Sequence, residues 1–154
     1  MAGARDFRKY SVWQEAVDYA TFVYEATNKM PWFEKKGLCD QLQRAAVSIS
    51  SNIAEGAARN SDADFAHFLD FALGSAFEVE TQLTIAKNVG YIRSENDRID
   101  LDNNLNLDDD VNKQNANLND DVNKKGVVTY EELLSRLQSI ERQLNGLINS
   151  IRKG

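Results

Sequence analysis

Apolar side chains recur along this chain at intervals of three and four residues, which is the spacing of one face of an α-helix. The pattern predicts helices over about residues 11–30, 32–58, 61–90 and 129–152. The apolar stripe of the first helix is predicted to comprise Val12, Ala16, Val17, Ala20, Val23, Tyr24 and Thr27. Four long amphipathic helices with mostly short connections are typical of an all-α, antiparallel up-down four-helix bundle, which is the fold we predict.

Capping residues and chain breakers set the predicted helix ends. Ser11, Ser61 and Thr129 are the predicted N-caps, and the last two precede an acidic residue by three positions, as in a capping box. Pro31 separates the first two helices, because proline disfavours a helical conformation in the residue before it. Gly90 is predicted to end the third helix.

A segment rich in Asn, Asp and Leu, residues 94–126, interrupts the helical pattern between the third and fourth helices. It contains a near-repeat in which Asp109–Lys113 recurs as Asp120–Lys124. Asn and Asp are poor helix formers, because their side chains offer the backbone local hydrogen bonds. We therefore predict a low-complexity insertion in a single domain that spans residues 1–154.

Composition narrows the classes of function. Cys39 and His67 are the one cysteine and the one histidine among 154 residues, which argues against zinc sites, His-based catalysis and ferritin-like metal centres. Glu55 and Glu78 would suit an acid–base pair, but any four-helix bundle carries such carboxylates. We predict a non-enzymatic protein without cofactor or metal. The absence of a signal-like or membrane-spanning apolar run favours a cytoplasmic location without membrane contact.

The charge distribution is uneven along the chain. The formal net charge is −6, which taken alone disfavours nucleic-acid binding. Residues 94–126 hold nine acidic and four basic side chains, so the rest of the chain is close to neutral. The candidates for phosphate contact are Arg5, Arg8, Lys9, Lys35, Lys36, Arg44 and Arg59. The first three lie beside Phe7 and Tyr10, a mixture that suits both RNA contact and an ordinary solvated arm.

The end of the insertion resembles part of a calcium-binding loop. Asp121, Asn123, Gly126 and Glu132 fall at positions 1, 3, 6 and 12 of the EF-hand pattern. Lys125 occupies position 5, where an oxygen ligand is needed, and Glu132 is also required by the predicted capping box. We therefore expect a solvated connection here rather than a calcium site.

A polar stripe runs beside the apolar stripes of the second and third helices. It includes Gln41, Ser48, Asn52 and Glu55 on the second helix and Ser75, Glu78 and Gln82 on the third. Such residues either line a groove that contacts a ligand or RNA, or form a hydrogen-bonded network that sets helix register or subunit pairing. We predict the structural network.

The aromatic residues of the third helix cover more than one of its faces. Phe65, Phe68, Phe71 and Phe77 all lie on this helix. The core of a single chain needs only one face, so the excess predicts either a subunit interface or packing of Phe71 or Phe77 beneath the N-terminal arm.

The second helix carries two motifs, Gln41-Leu42-Gln43-Arg44-Ala45-Ala46 and Ser51-Asn52-Ile53-Ala54-Glu55-Gly56. Further positions that match the same family are Phe7, Trp13, Pro31, Phe65, Leu69, Gly74-Ser75, Glu78, Gln82-Leu83, Gly90-Tyr91-Ile92 and Gly146-Leu147-Ile148. Over about residues 5–93 and 128–152 the chain resembles the four-helix-bundle family of 23S rRNA intervening-sequence proteins. That family is related to the accessory variability determinant of diversity-generating retroelements.

The resemblance implies an antiparallel four-helix bundle that assembles into a ring, typically a homopentamer, without known enzymatic activity. It also implies binding of structured RNA or of a ribonucleoprotein or reverse-transcriptase partner. We therefore predict that the seven basic residues named above contact RNA. The alternative is a protein-interaction scaffold without RNA affinity, which would use exposed aromatic residues and the surface of the ring.

Overall fold

A computed structural model describes residues 5–96 and 128–154 of the chain, and all regular structure in these residues is helical. The four longest helices are α1 (Ser11–Thr27), α2 (Leu38–Ala57), α3 (Asp62–Asn88) and α4 (Tyr130–Lys153). Short 3₁₀ helices at Phe7–Lys9 and Trp32–Glu34 precede α1 and α2. The predicted all-helical fold is confirmed. Nearly all of the predicted insertion, with its repeat and most of its EF-hand positions, lies outside the described residues.

The start of α2 differs most from the predicted boundary. The helix begins at Leu38, because Gly37 has φ −112° and ψ −115°, which is not a helical conformation. Oε2 of Glu34 accepts a hydrogen bond from the backbone N–H of Leu38 at 3.1 Å and satisfies one free donor of the first turn. The segment that follows Pro31 therefore forms a separate 3₁₀ turn.

Two predicted N-caps are confirmed and one is wrong. Oγ of Ser61 accepts from the N–H of Asp64 at 3.0 Å, and Oγ1 of Thr129 accepts from the N–H of Glu132 at 3.3 Å. Ser11 is instead the first helical residue, and the N-cap position before it is held by Tyr10 without a side-chain cap. Each side-chain cap satisfies an N–H group that has no partner inside the helix.

The C-terminal end of α3 follows the predicted glycine stop. Gly90 has φ +80°, a left-handed conformation that glycine adopts without the steric cost of a Cβ atom. The N–H of Tyr91 donates to the carbonyl of Ala86 at 2.8 Å, as expected for a glycine-terminated helix. The chain leaves α3 at this point with its last carbonyls partly satisfied.

One hydrophobic cluster draws side chains from all four helices. Five of the seven residues in the predicted stripe of α1 are buried, but Val17 and Tyr24 are exposed, whereas Tyr19 is 2% exposed. Val12, Tyr19 and Ala26 follow the seven-residue repeat of a buried helix face, and Val17 and Tyr24 fall outside it. The apolar side chains of Val17 and Tyr24 suggested burial, but their angular position on the helix leaves them exposed. No helix in the described part of the chain is long and apolar enough to cross a bilayer.

Candidate nucleic-acid interface

Arg5 anchors the N-terminal arm to the connection between α2 and α3. Its Nη1 donates to the carbonyl oxygen of Arg59 at 2.8 Å, and its Nη2 forms an ion pair with Asp62. The guanidinium also lies 4.9 Å from the ring centroid of Phe65, within the range of a cation–π contact. Arg5 is therefore held by three groups and is mostly buried, which reduces its freedom to contact an external phosphate.

Arg59 joins Arg5 at the same end of the helices. Nη2 of Arg59 donates to Oε1 of Glu55 at 2.5 Å, and its guanidinium lies 4.4 Å from the ring centroid of Phe68. Its Nε is buried and makes no hydrogen bond with the described residues. Arg5 and Arg59 are thus 54 positions apart in the sequence but adjacent in the structure.

Arg8 and Lys9 complete this group and are the more accessible cations. The Arg8 guanidinium lies 3.4 Å from Oδ1 of Asp6 and 4.7 Å from the ring centroid of Phe7. Both Arg8 and Lys9 are exposed. An ion pair between exposed side chains contributes little free energy, so Arg8 can exchange Asp6 for a phosphate group at small cost. We call Arg5, Arg8, Lys9 and Arg59 the arm group.

The other three predicted cations lie elsewhere. Arg44 extends from α2, where its Nε donates to Oδ2 of Asp40 at 2.8 Å. Lys35 and Lys36 precede α2 and are exposed. The twenty residues of α2 span about 30 Å, so these lysines lie at the opposite end of the helix from Arg59. The seven predicted RNA-binding residues therefore lie in three places. Four form the arm group, Lys35 and Lys36 lie at the opposite end of α2, and Arg44 lies on the surface of α2.

The predicted polar network exists in part. Nδ2 of Asn52 donates to Oγ of Ser48 at 3.0 Å, and that oxygen lies 2.9 Å from Oγ of Ser75 on α3. Gln82 is buried and donates through Nε2 to Oε1 of Glu78 at 3.1 Å, whereas its own Oε1 has no partner among the described residues. The network therefore consists of two separate pieces, one that links α2 to α3 and one within α3.

Two members of the predicted stripe do not join either piece. Gln41 is exposed, and Glu55 is exposed and paired with Arg59. Ser75 is the member of the predicted stripe that links α3 to Ser48. Its position opposite Ser48 depends on the relative placement of α2 and α3, which residue spacing within one helix does not specify.

The aromatic residues of α3 divide between the core and the surface. Phe65 is buried and Phe68 partly buried, whereas Phe71 and Phe77 are exposed. Packing of Phe71 or Phe77 beneath the N-terminal arm is therefore wrong. The arm packs on Phe65 instead, whose ring lies 5.7 Å from that of Tyr10. Phe71 contacts the exposed His67, with 4.4 Å between the ring centroids.

Tyr19 of α1 and Glu141 of α4 form a buried acidic group that the residue pattern did not predict. The hydroxyl of Tyr19 and Oε1 of Glu141 are buried without hydrogen-bond partners among the described residues. Burial raises the pKa of Tyr19, and the negative charges of Glu141 and Glu80 raise it further. Burial also raises the pKa of Glu141, with Glu80 adding to the effect and Arg142 opposing it. The burial of Tyr19 could have been predicted from its position seven residues after Val12, on the same helix face.

A groove of about 260 Å³ lies beside this group, between α1 and α4. Glu15 and Asp18 line it together with Tyr19 and Arg136. Oε2 of Glu15 accepts hydrogen bonds from Gln143 at 2.6 Å and from Ser139 at 3.3 Å. The excess of carboxylates makes this groove a poor surface for phosphate groups.

The residues considered for metal or redox chemistry have structural roles in the described part of the chain. Cys39 is buried, its Sγ lies 3.7 Å from the carbonyl oxygen of Thr27, and burial raises the pKa of its thiol. Oε1 of Glu132 lies 3.3 Å from Nη2 of Arg136. Asp121, Asn123 and Gly126 of the EF-hand pattern lie outside the described residues. Within the described ranges, no cluster of three His, Cys, Asp or Glu side chains is arranged to hold a metal ion.

Comparison with known proteins identifies one family. A model of the 23S rRNA-intervening sequence protein family matches residues 8–107, a range that includes α1, α2 and α3. No curated protein matches the chain.

Proposed function

The chain belongs to the 23S rRNA-intervening sequence protein family, and from this premise we propose that it is a non-enzymatic, oligomeric protein that binds structured RNA, free or within a ribonucleoprotein. The observation that carries the proposal is the convergence of the arm group at one end of the helices. Arg5 and Arg59 are joined by a hydrogen bond of 2.8 Å, and the exposed Arg8 and Lys9 follow Arg5 by three and four residues. Clustered cations beside aromatic rings suit phosphate contact and base stacking.

The proposal includes a single domain with an antiparallel up-down arrangement. The order of contacts between α3 and α4 supports it. Arg152 contacts Asp70 at 2.5 Å, whereas Tyr130 contacts Thr84 at 3.2 Å, so residue numbers rise along one helix as they fall along the other. A single hydrophobic cluster that draws on every helix supports one domain.

The experiment for RNA binding starts with the full chain, purified from its native host at low and moderate salt, and with sequencing of the RNA that co-purifies. We expect one RNA to be enriched and the enrichment to decline as salt rises. Affinity for that RNA is then measured for the double variant Arg8→Ala/Lys9→Ala across a salt series. Loss of two phosphate contacts is expected to weaken binding about tenfold and to reduce the salt slope by about 1.5.

The control removes two exposed cations away from the arm group, as Arg93→Ala/Arg136→Ala. It changes the net charge by the same amount while leaving the arm group intact. Equal losses for both double variants would show a general charge effect and would contradict the assignment to the arm group. Absence of any RNA above a charge-matched control protein would contradict RNA binding itself.

We further propose that the exposed face of α3 forms the contact between subunits of a ring, as a homopentamer. Phe71, Phe77, Ile85 and Val89 are all exposed on this helix, and a groove of about 410 Å³ lies beside Phe77 and Ile85. Exposed apolar patches of this kind favour association. Light scattering should give a mass that Phe77→Glu/Ile85→Glu reduces towards that of the monomer, 17.4 kDa. An unchanged mass would exclude this face.

The second candidate function is a protein-interaction scaffold without RNA affinity. The exposed aromatic residues of α3 favour it, because large apolar side chains are frequent in protein interfaces. The same purification distinguishes the two candidates. A specific protein partner in the absence of enriched RNA would support the scaffold.

A further inference from the structure

The two most exposed aromatic side chains among the described residues lie at the end of the helices opposite the arm group. Trp32 is 79% exposed and Phe33 is 59% exposed. Both belong to the 3₁₀ turn Trp32–Glu34, and their ring centroids are 6.2 Å apart. The other side of Phe33 faces Tyr91, again at 6.2 Å. Neighbouring aromatic side chains are thus presented to solvent on one short turn.

Glu34 holds this turn in place. Its Oε2 accepts from the N–H of Leu38, and its Oε1 accepts from the hydroxyl of Tyr91 at 3.2 Å. The turn is therefore tied both to α2 and to the segment after α3. A surface fixed in advance loses less conformational entropy when it binds a partner.

The chain on either side of the two rings is basic. Lys35 and Lys36 follow the turn Trp32–Glu34 directly, Lys29 precedes it by three residues, and all three lysines are exposed. None of these lysines forms an ion pair within residues 5–96 and 128–154. Glu34 is the one acidic residue between positions 29 and 37, and both of its carboxylate oxygens already accept hydrogen bonds.

We propose that Lys29, Trp32, Phe33, Lys35 and Lys36 form a platform that binds unpaired RNA nucleotides. Bases would stack on Trp32 and Phe33 while the lysines contact the phosphates on either side. Stacking requires the free face of a base, so this platform would recognise single-stranded loops or ends rather than duplex. The inference rests on the proposed function and deepens it, since it names a second contact surface and the form of RNA bound there.

The first test uses the tryptophan fluorescence of the full chain, which has two tryptophans. A single-stranded RNA of about 12 nucleotides is titrated into the wild type and into Trp32→Phe. We expect quenching in the wild type that is largely lost in Trp32→Phe, because Trp13 is half-buried against Phe7 and Trp32 is open to solvent. This comparison assigns the signal to Trp32 without altering the core.

The second test compares affinities for the same RNA. Trp32→Ala should weaken binding about tenfold, and Trp32→Phe should retain most of the affinity because phenylalanine also stacks. Tyr24→Ala is the matched control, since Tyr24 is an exposed aromatic residue on α1 that belongs to neither proposed surface. Lys35→Ala/Lys36→Ala should reduce the salt slope by about 1.4. A duplex of the same sequence should bind without quenching Trp32.

The outcomes separate the platform from the proposed function. If the wild type binds neither the oligonucleotide nor host RNA, both the proposed function and the platform are excluded. If it binds RNA and Trp32→Ala behaves like Tyr24→Ala, the platform is wrong while RNA binding stands. If Trp32→Ala changes the mass of the assembly and leaves RNA affinity unchanged, the surface is a subunit contact and the platform is likewise overturned.

Discussion

Gly56 of α2 packs so closely against Phe68 of α3 that a methyl group on Gly56 would lie 2.6 Å from Cβ of Phe68. The same methyl group would lie 3.0 Å from Cδ2 of Phe65. Since Cβ of Phe68 is tied to its backbone, the clash could be relieved only by moving the helices apart. This contact also supports the arm group, because Arg59 lies over the ring of Phe68.

Gly56→Ala is expected to destabilise the protein by about 2–3 kcal/mol, which is typical of overpacking in a well-packed interior. Gly74→Ala provides the matched control, because a Cβ at Gly74 on the surface of α3 meets no atom within 4 Å. That control should stabilise the protein by about 0.5–1 kcal/mol through the better helix propensity of alanine. Urea unfolding of both variants measures the difference, and equal effects would contradict close packing at Gly56.

A directional chain of hydrogen bonds connects α2 and α3. Oγ of Ser75 donates to the carbonyl of Phe71 at 3.0 Å, so its single proton is not available to Ser48. Ser48 therefore donates to Ser75 and accepts from Asn52. Both hydroxyls act as donor and acceptor at once, which satisfies these half-buried polar groups.

Ser48→Ala and Ser75→Ala should each cost about 0.5–1.5 kcal/mol, because each removes one link of this chain. The double variant should cost less than the sum of the two, since the bond between the two serines is lost only once. Denaturant titrations of the four proteins give the coupling free energy. Strict additivity would mean that the two hydroxyls do not interact in solution.

Arg5 and Arg8 are expected to have different effects on stability, although they are close in sequence. Arg5→Ala removes a hydrogen bond, an ion pair and a ring contact from a mostly buried side chain, so we expect a loss of about 1–2 kcal/mol. Arg8→Ala removes an exposed pair with Asp6 and should change stability by less than about 0.5 kcal/mol. Thermal unfolding measures both. Comparable losses would show that the arm is not anchored through Arg5.

Glu141 gives a prediction with a defined pH dependence. Its raised pKa means that the folded state binds this proton more tightly than the unfolded state does. The stabilisation that comes from this tighter proton binding is fully present below pH 4.5, the ordinary pKa of glutamate. It is lost as the pH rises through the pKa of Glu141 in the folded state. At neutral pH the charged Glu141, beside Tyr19 and Glu80, therefore opposes folding.

Glu141→Gln should raise the Tm at pH 7 by about 1–3 °C and should have a smaller effect near pH 4. Glu25→Gln on the exposed face of α1 is the control for removal of one negative charge. Melting curves at the two pH values test the difference. A benefit of equal size at both pH values would exclude the charge of Glu141 as its cause.

Most of the helical structure follows from interactions that are local in the sequence. These interactions are the three- and four-residue apolar spacing, the caps at Ser61 and Thr129 and the glycine stop at Gly90. Each acts within one or two helical turns, so it can be recognised without knowledge of the fold. The start of α2 was misplaced because Glu34 and Gly37 make a cap that resembles no standard capping motif.

Residue spacing, capping residues and chain breakers were enough to predict the four helices, and the motifs of α2 were enough to indicate the family. The contacts across helices could be read only from the folded chain. The tertiary structure brought Arg5 to Arg59 and Ser48 to Ser75, it buried Tyr19 in place of Val17 and Tyr24, and it placed Lys35 far from the arm group. The physical reason is that these relationships depend on the angles and offsets at which helices pack, which the spacing of residues within one helix does not encode.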